Sequence, residues 1–492
     1  MLKVLAKQSA IYGVSTIVGR LLGYLLTPYF TRIFEREEYG IITDLYALIP
    51  FALVVLSLGM ESSYFRYAAK AEEQNSTLKA ITEAKERLFS TTWGITTLAA
   101  IGFMALATLF LSPIAEAMGE AYTNHKEYVL IVAGIVFFDV CSLVPFARLR
   151  ERGEAVKYVG IKLVAITLQV GFSFGFGFAG LYASEFGVGW ALVANLISSA
   201  IAWGVVIFSI KRPSLAIDKA LLRSILIYST PLLLSGIAGT ASDFIDRQMI
   251  KYIIPQGAMA QLGIYGAVAK IAVVMTLFTQ MYRLAAEPFF LSNFKKEDFK
   301  ELNAAVMKYF IMASMFIFLG IALFRDLFAL IVGGDYREGI YILPVILGAN
   351  ILMGVWLNLS FWYKREERTN YALYITLSGV VVAILANLAL VPRWGYFGAA
   401  WARLLSEGVM CAVSYYLCMR HYPTPYNIRR IVEYVALALL LYAGCEYIAE
   451  HHTLDILTSS AISVVAITIY SLFAIWHEKI DVVAMLRSII KR

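Results

Sequence analysis

Charge is scarce in this chain of 492 residues: 16% of the side chains are Asp, Glu, Lys or Arg, while 60% are apolar. Soluble domains carry about a quarter charged residues, so this balance, with a mean hydropathy of +0.70, excludes a soluble enzyme and indicates a polytopic membrane protein. Histidine is nearly absent. His125, His421, His451, His452 and His477 all fall in loops or at the ends of apolar runs, which leaves no intramembrane imidazole for acyl transfer. Cys141, Cys411, Cys418 and Cys445 lie in or beside apolar segments without CxxC spacing, so no disulfide framework, metal site or cofactor is indicated. Long polar loops are missing too, and with them any extramembrane catalytic domain. Lys3 and Lys7 precede a long apolar run without a small-residue cleavage motif, so that run is expected to stay as a helix.

What is abundant is apolar length. Runs of about 20 residues, enough to cross a bilayer as helix, lie near 9–33, 41–65, 88–111, 128–148, 158–180, 187–209, 224–250, 262–290, 305–331, 339–362, 371–391, 395–419, 430–449 and 457–476. The expected fold class is all-α, an integral membrane protein of about fourteen transmembrane helices. Alternate loops hold only Arg36, Lys126, Lys251, Arg337 and Arg393, and eight cations lie well inside the spans; the other 29 of the 42 Lys and Arg fall in the remaining loops and tails or at the span ends that border them, as Arg148, Lys308 and Arg430 do. The positive-inside rule then puts both termini in the cytoplasm. It also accounts for the net charge of +7 without a nucleic-acid partner. Residues 478–492 space Ile480, Val483, Leu486, Ile489 and Ile490 among Lys479, Arg487, Lys491 and Arg492, a pattern suited to an amphipathic tail on the inner leaflet.

The chain repeats itself. Tyr39-Gly40-Ile41 aligns with Leu262-Gly263-Ile264 at an offset of 223, and Gly187-Val188-Gly189-Trp190-Ala191 resembles Tyr396-Phe397-Gly398-Ala399-Ala400 at an offset of 209. Two six-helix lobes, 1–210 and 211–420, followed by 421–492 with two more helices and the tail, explain both anchors. Six is even, so the copies share one orientation and their pseudo-twofold axis runs along the membrane normal; such repeats place a substrate site between the halves.

Thr27-Pro28-Tyr29-Phe30-Thr31-Arg32 leading into Glu38-Tyr39-Gly40, then Asp246-Arg247 leading into Gly263-Ile264-Tyr265 and Ala269-Lys270-Ile271, resemble the polysaccharide-transport (oligosaccharide flippase) family of the multidrug/oligosaccharidyl-lipid/polysaccharide flippase superfamily. The resemblance covers about residues 1–420. It implies a flippase moving a lipid-linked oligosaccharide, typically on polyprenyl pyrophosphate, from the inner to the outer leaflet of a bacterial cytoplasmic membrane for cell-surface polysaccharide biosynthesis. It implies no enzymatic activity. Membrane lipids, a polysaccharide polymerase and other envelope-assembly proteins are the further partners the resemblance implies.

Intramembrane charge is expensive and marks function by default. A pyrophosphate crossing a low-dielectric region needs fixed cations to offset its dehydration. Arg20 is the leading substrate-binding residue, since Gly13, Thr16, Arg20, Gly23, Thr27 and Thr31 recur at helical spacing and make one face of the first helix small or polar. Lys270, Arg247, Lys162 and Arg283 are the other candidates; Arg32, Arg325 and Arg403 read as interface anchors or local pairs. For coupling to H+ or Na+, the candidates are Asp139, Asp44, Asp243 and Asp246. Asp139 leads because no basic residue lies within a turn of it, whereas Asp243 and Arg247 are four apart on one helix. An ion-coupled drug antiporter of the same superfamily is the alternative, weakened by the excess of intramembrane cations. A membrane-embedded glycan-processing enzyme using Asp243 and Asp246, or an assembly scaffold, are the remaining readings.

Overall fold

The computed structural model describes residues 19, 21–210, 217–294, 296–366, 368, 370–451 and 455–479, with the side chains of 235, 238, 243, 288, 291, 292 and 456 left aside. Arg20 and the tail from residue 480 lie outside the described residues. The chain is a polytopic all-α membrane protein, and no strand occurs among the described residues. Lipid offers backbone groups no partners, so each crossing segment closes its own hydrogen bonds as helix.

The helices are α1 Leu26–Ile33, α2 Arg36–Ser57, α3 Met60–Gln74, α4 Leu78–Leu109, α5 Leu111–Met118, α6 Glu120–Thr123, α7 Lys126–Glu151, α8 Ala155–Phe178, α9 Gly189–Ser209 and α10 Lys219–Ile253. They continue as α11 Ala258–Ile271, α12 Val273–Asn293, α13 Phe299–Ala322, α14 Arg325–Ala329, α15 Leu343–Leu359, α16 Phe361–Arg365, α17 Asn370–Trp394, α18 Tyr396–His421, α19 Ile428–His451 and α20 Ile456–Glu478. Among the described residues eleven helices are long and apolar enough to cross a membrane, twelve if α11 and α12, bent by 50°, form one broken span. The fourteen runs of the sequence exceed this by two. The first is described only at residue 19 and from 21 on, and the twelfth, α18, is a 26-residue helix whose apolar character is diluted by Arg403, Glu407 and Arg420.

Local chemistry sets the helix ends. Asp218 accepts from the amides of Ala220 and Leu221 at 3.0 Å each and starts α10, a side-chain cap that satisfies otherwise orphaned donors. Glu35 and Glu38 form a capping box at the start of α2. Leu58 and Gly59, with φ of 51° and 67°, separate α2 from α3 within one membrane-length segment.

The chain forms two compact units, Met1–Gly266 with Asn387–Tyr396, and Ala267–Ala386 with Phe397–Arg492. In the first, Met60, Tyr64, Phe89, Val144 and Leu149 share a core. Ion pairs rim it: Arg148 with Glu86, Arg150 with Glu61 at 2.6 Å and Lys85 with Glu151 at 2.5 Å. In the second, Phe290, Phe299, Phe361, Trp362 and Tyr422 are buried together. Glu478, ending α20, is buried while pairing with Lys308 and with Arg430 at 3.0 Å and accepting from Tyr434 at 2.7 Å; this fastens the last helix to its unit. Leu109, Phe178, Phe208, Leu440 and Trp476 are exposed, as lipid-facing positions must be.

One close approach in the first unit brings together the two glycines that the offset of 223 pairs. A Cβ on Gly40 would stand 2.0 Å from the carbonyl oxygen of Met259, and a Cβ on Gly263 would stand 2.1 Å from the carbonyl oxygen of Arg36. Each glycine thus meets the carbonyl one turn before the other, a reciprocity expected of a twofold contact, and all these positions are related by the offset of 223 read from the sequence. Gly266 abuts the side chain of its counterpart Thr43, with a Cβ there 2.3 Å from Oγ1. Only glycine lets two helix backbones come this near.

Candidate functional site

In the first unit Asp44 is buried on α2, and three donors converge on its carboxylate. Lys251 Nζ lies 2.5 Å from Oδ2, Tyr122 donates to the same oxygen at 2.6 Å, and Gln248 Nε2 donates to Oδ1 at 2.7 Å. The Lys251 ammonium also sits 4.5 Å from the ring centroid of Tyr122 and 5.1 Å from that of Tyr252. A carboxylate and an ammonium held this way satisfy each other's hydrogen bonds away from water, the condition for burying an ion pair. Asp246 is buried and accepts from Asn387 Nδ2 at 3.0 Å, with the half-buried Arg247 next in the helix. Asp243 lies on the same helix, and its side chain is not among those described.

Asp139 is half-buried on α7. Along the chain it has no nearby cation, but through space Lys162 of the adjacent α8 comes within electrostatic reach, beside the hydroxyl of Ser199. Lys162 is exposed and lies 4.2 Å from the ring centroid of Phe146. Arg66 is exposed as well, 4.2 Å from the centroid of Tyr228.

In the second unit Arg283 and Lys364 share one carboxylate, Glu287, at 3.7 Å and 3.4 Å. Two cations for one acid leave a net positive group, and Arg283 is 62% exposed. Lys270 is exposed near the end of α11. The candidates are thus divided: Asp44, Asp139, Lys162, Asp246 and Arg247 belong to the first unit, Lys270 and Arg283 to the second.

Residues 5–294, more than half of the chain, match the family described as "Polysaccharide biosynthesis protein". The chain belongs to that family. The probable low-salt glycan biosynthesis flippase Agl15 of Haloferax volcanii is 22% identical over 416 residues, 82% of this chain and 81% of the relative. Among solved structures, the lipid II flippase MurJ in an inward closed conformation aligns with a TM-score of 0.76 at 13% identity, over 96% of this chain and 100% of that one. An inward-facing multidrug resistance MATE family transporter of the MOP superfamily aligns at 0.66 and 15% identity, over 82% and 94%. At these identities the solved structures show a shared fold. The resemblance carried by Thr27 to Gly40 and by Asp246 to Ile271 is therefore borne out at the level of the family.

Of the polar stripe on the first helix, Gly23, Thr27 and Thr31 are described. Gly23 is exposed, whereas Thr27 and Thr31 are buried and the Thr31 hydroxyl donates to the Thr27 carbonyl at 2.8 Å. The Thr31 hydroxyl thus bonds back to its own helix, as threonines in membrane helices commonly do, while the Thr27 side chain is hydrogen-bonded with Tyr39. Sequence reasoning missed Lys251, Lys364 and Arg66. Lys251 sits where the apolar run ends and reads as a loop cation, yet it is buried in the last turn of α10. Its spacing of three from Gln248 places both on one helix face. That was the available signal.

Proposed function

We propose that this membrane protein is a flippase for a lipid-linked oligosaccharide, carried on polyprenyl pyrophosphate, which it moves between leaflets by alternating access for cell-surface glycan assembly. The observation that carries this reading is membership of the polysaccharide biosynthesis family together with a relative described as a glycan biosynthesis flippase over four-fifths of both chains. Exposed cations in each unit, Lys162 and Arg66 in one and Arg283 with Lys364 in the other, favour an anionic headgroup over a cationic drug. Arg forks and Lys point charges are the side chains that meet phosphate oxygens. On this reading the chain resides in the cytoplasmic membrane with both termini inside, hands its cargo to a polymerase or other assembly proteins, and performs no covalent chemistry.

Depleting the protein in its native host should raise the lipid-linked oligosaccharide on the inner leaflet while susceptibility to cationic drugs stays unchanged. Raised drug sensitivity with normal surface glycan would favour the antiporter instead. In the same host Arg20→Ala should fail to restore surface glycan at normal expression, whereas Arg20→Lys should restore part of it, because charge is kept and the planar fork is lost. Full restoration by Arg20→Ala would remove this residue from substrate binding.

Coupling to H+ or Na+ is assigned to Asp139, whose through-space partner Lys162 gives its protonation or cation binding a group to displace. An ion drives the cycle only through differential affinity for two states. Asp139→Asn should therefore make transport insensitive to an imposed proton or sodium gradient while headgroup binding persists. A full gradient response in that variant would turn attention to Asp246.

A further inference from the structure

Two features of the first unit lie side by side at the end of the helices that bears few basic loop residues. One is the reciprocal glycine crossing of α2 and α11 through Gly40, Gly263 and Gly266. The other is the buried Asp44–Lys251 pair with Gln248 and Tyr122 around it. They occupy the same turns of α2, since Thr43, which abuts Gly266, precedes Asp44. Together they join α2 of the first sequence repeat to segments of the second, 248–251 and 259–266.

We propose that this seam is a gate on the face opposite the basic loops, closed in this structure, and that the Asp44–Lys251 pair is its latch. The proposal rests on the alternating-access reading above, which requires that face to open. The chemistry of the seam suits a contact that is made and unmade. A buried ion pair adds little to a permanently closed contact compared with apolar residues of the same shape. It does distinguish two states, being strong where water is excluded and weak where water enters and solvates both partners. The glycine crossing has the matching property: backbones touch without interlocking side chains, so the surfaces separate without withdrawing knobs from holes.

The test uses full-length protein in proteoliposomes of known orientation, in a background where Cys141, Cys411, Cys418 and Cys445 are replaced, with Thr43→Cys as reporter. Thr43 is 8% exposed, so a membrane-impermeant maleimide should label the reporter slowly. Lys251→Met, and separately Asp44→Asn with Lys251→Met, which leaves no unpaired buried charge, should speed labelling from the face opposite the basic loops by about tenfold through a shift in population. The exchange Asp44→Lys with Lys251→Asp should return it to the slow rate. Unchanged labelling in both latch variants, confirmed folded by monodispersity, would overturn the proposal and mark the crossing as a fixed pivot. So would labelling of the exchanged pair as fast as that of Lys251→Met. No substrate enters the measurement, so a gate that behaves as proposed in a protein that fails to move lipid-linked glycan would refute the flippase reading alone.

Discussion

Asp44→Ala should lower the stability of the detergent-solubilised protein by about 3–5 kcal/mol, because it leaves the Lys251 ammonium buried without a counter-charge. Tyr122 and Tyr252 offer that ammonium only their ring faces, and a ring quadrupole is a weak substitute for a carboxylate. The thermal unfolding midpoint checks this. Adding Lys251→Met to Asp44→Ala should recover most of the loss, the non-additive outcome expected of residues in direct contact. Equal midpoints for the single and double variants would show that the pair contributes nothing beyond its packing.

Gly263→Leu should cost at least about 1–3 kcal/mol by overpacking and should do so by prising α11 from α2. Its first side-chain carbon would stand 2.1 Å from the Arg36 carbonyl and 3.1 Å from the Gly40 amide nitrogen, and both are backbone atoms that move only with their helix. Reciprocity gives the prediction its sharper form. Gly40→Leu should cost a similar amount, and the two together should cost less than their sum because either one already opens the gap. The control is Gly171 on α8, where a Cβ meets nothing within 4 Å, so Gly171→Ala should be neutral or stabilising. Additive losses at Gly40 and Gly263 would show that the two glycines do not share one crossing.

Much of the fold was legible in the sequence because lipid enforces a simple code: every crossing segment must be a long apolar helix. The glycine crossing was legible for a related reason. The offset of 223 pairs the glycines at 40 and 263, and glycine is the residue that suits a place where two backbones touch, as these do. Span counting was less secure at α18, where Arg403 and Glu407 interrupt an apolar run without ending the helix. The polar partnerships were not legible. Asp44 and Lys251 are 207 positions apart, and nothing local marks Lys251 as buried. Asp139 stood out for lacking a cation within a turn, yet electrostatics acts through space, and the charge of Lys162 on the adjacent helix is felt there. Asp243 and Arg247, four apart, suggested a local pair, and the Asp243 side chain is not among those described; on the same helix Asp246 is linked to Asn387, and Gln248 and Lys251 to Asp44, none of them legible from spacing. Spacing along a helix shows which side chains share a face, while the partner of each is set by the neighbouring helix.

The central claim, translocation of a lipid-linked anionic glycan, is tested most directly by purified protein in liposomes holding a fluorescent polyprenyl-pyrophosphate oligosaccharide, quenched by an impermeant reductant. Protein-free liposomes expose only the outer-leaflet half of the fluorophore, because unassisted crossing of a charged headgroup is slow. The flippase reading predicts quenching well beyond that half with the wild-type protein, restored to the protein-free level by Arg20→Ala. Quenching no greater than in protein-free liposomes, from protein that is folded and supplied with proton and sodium gradients of either direction, would contradict it.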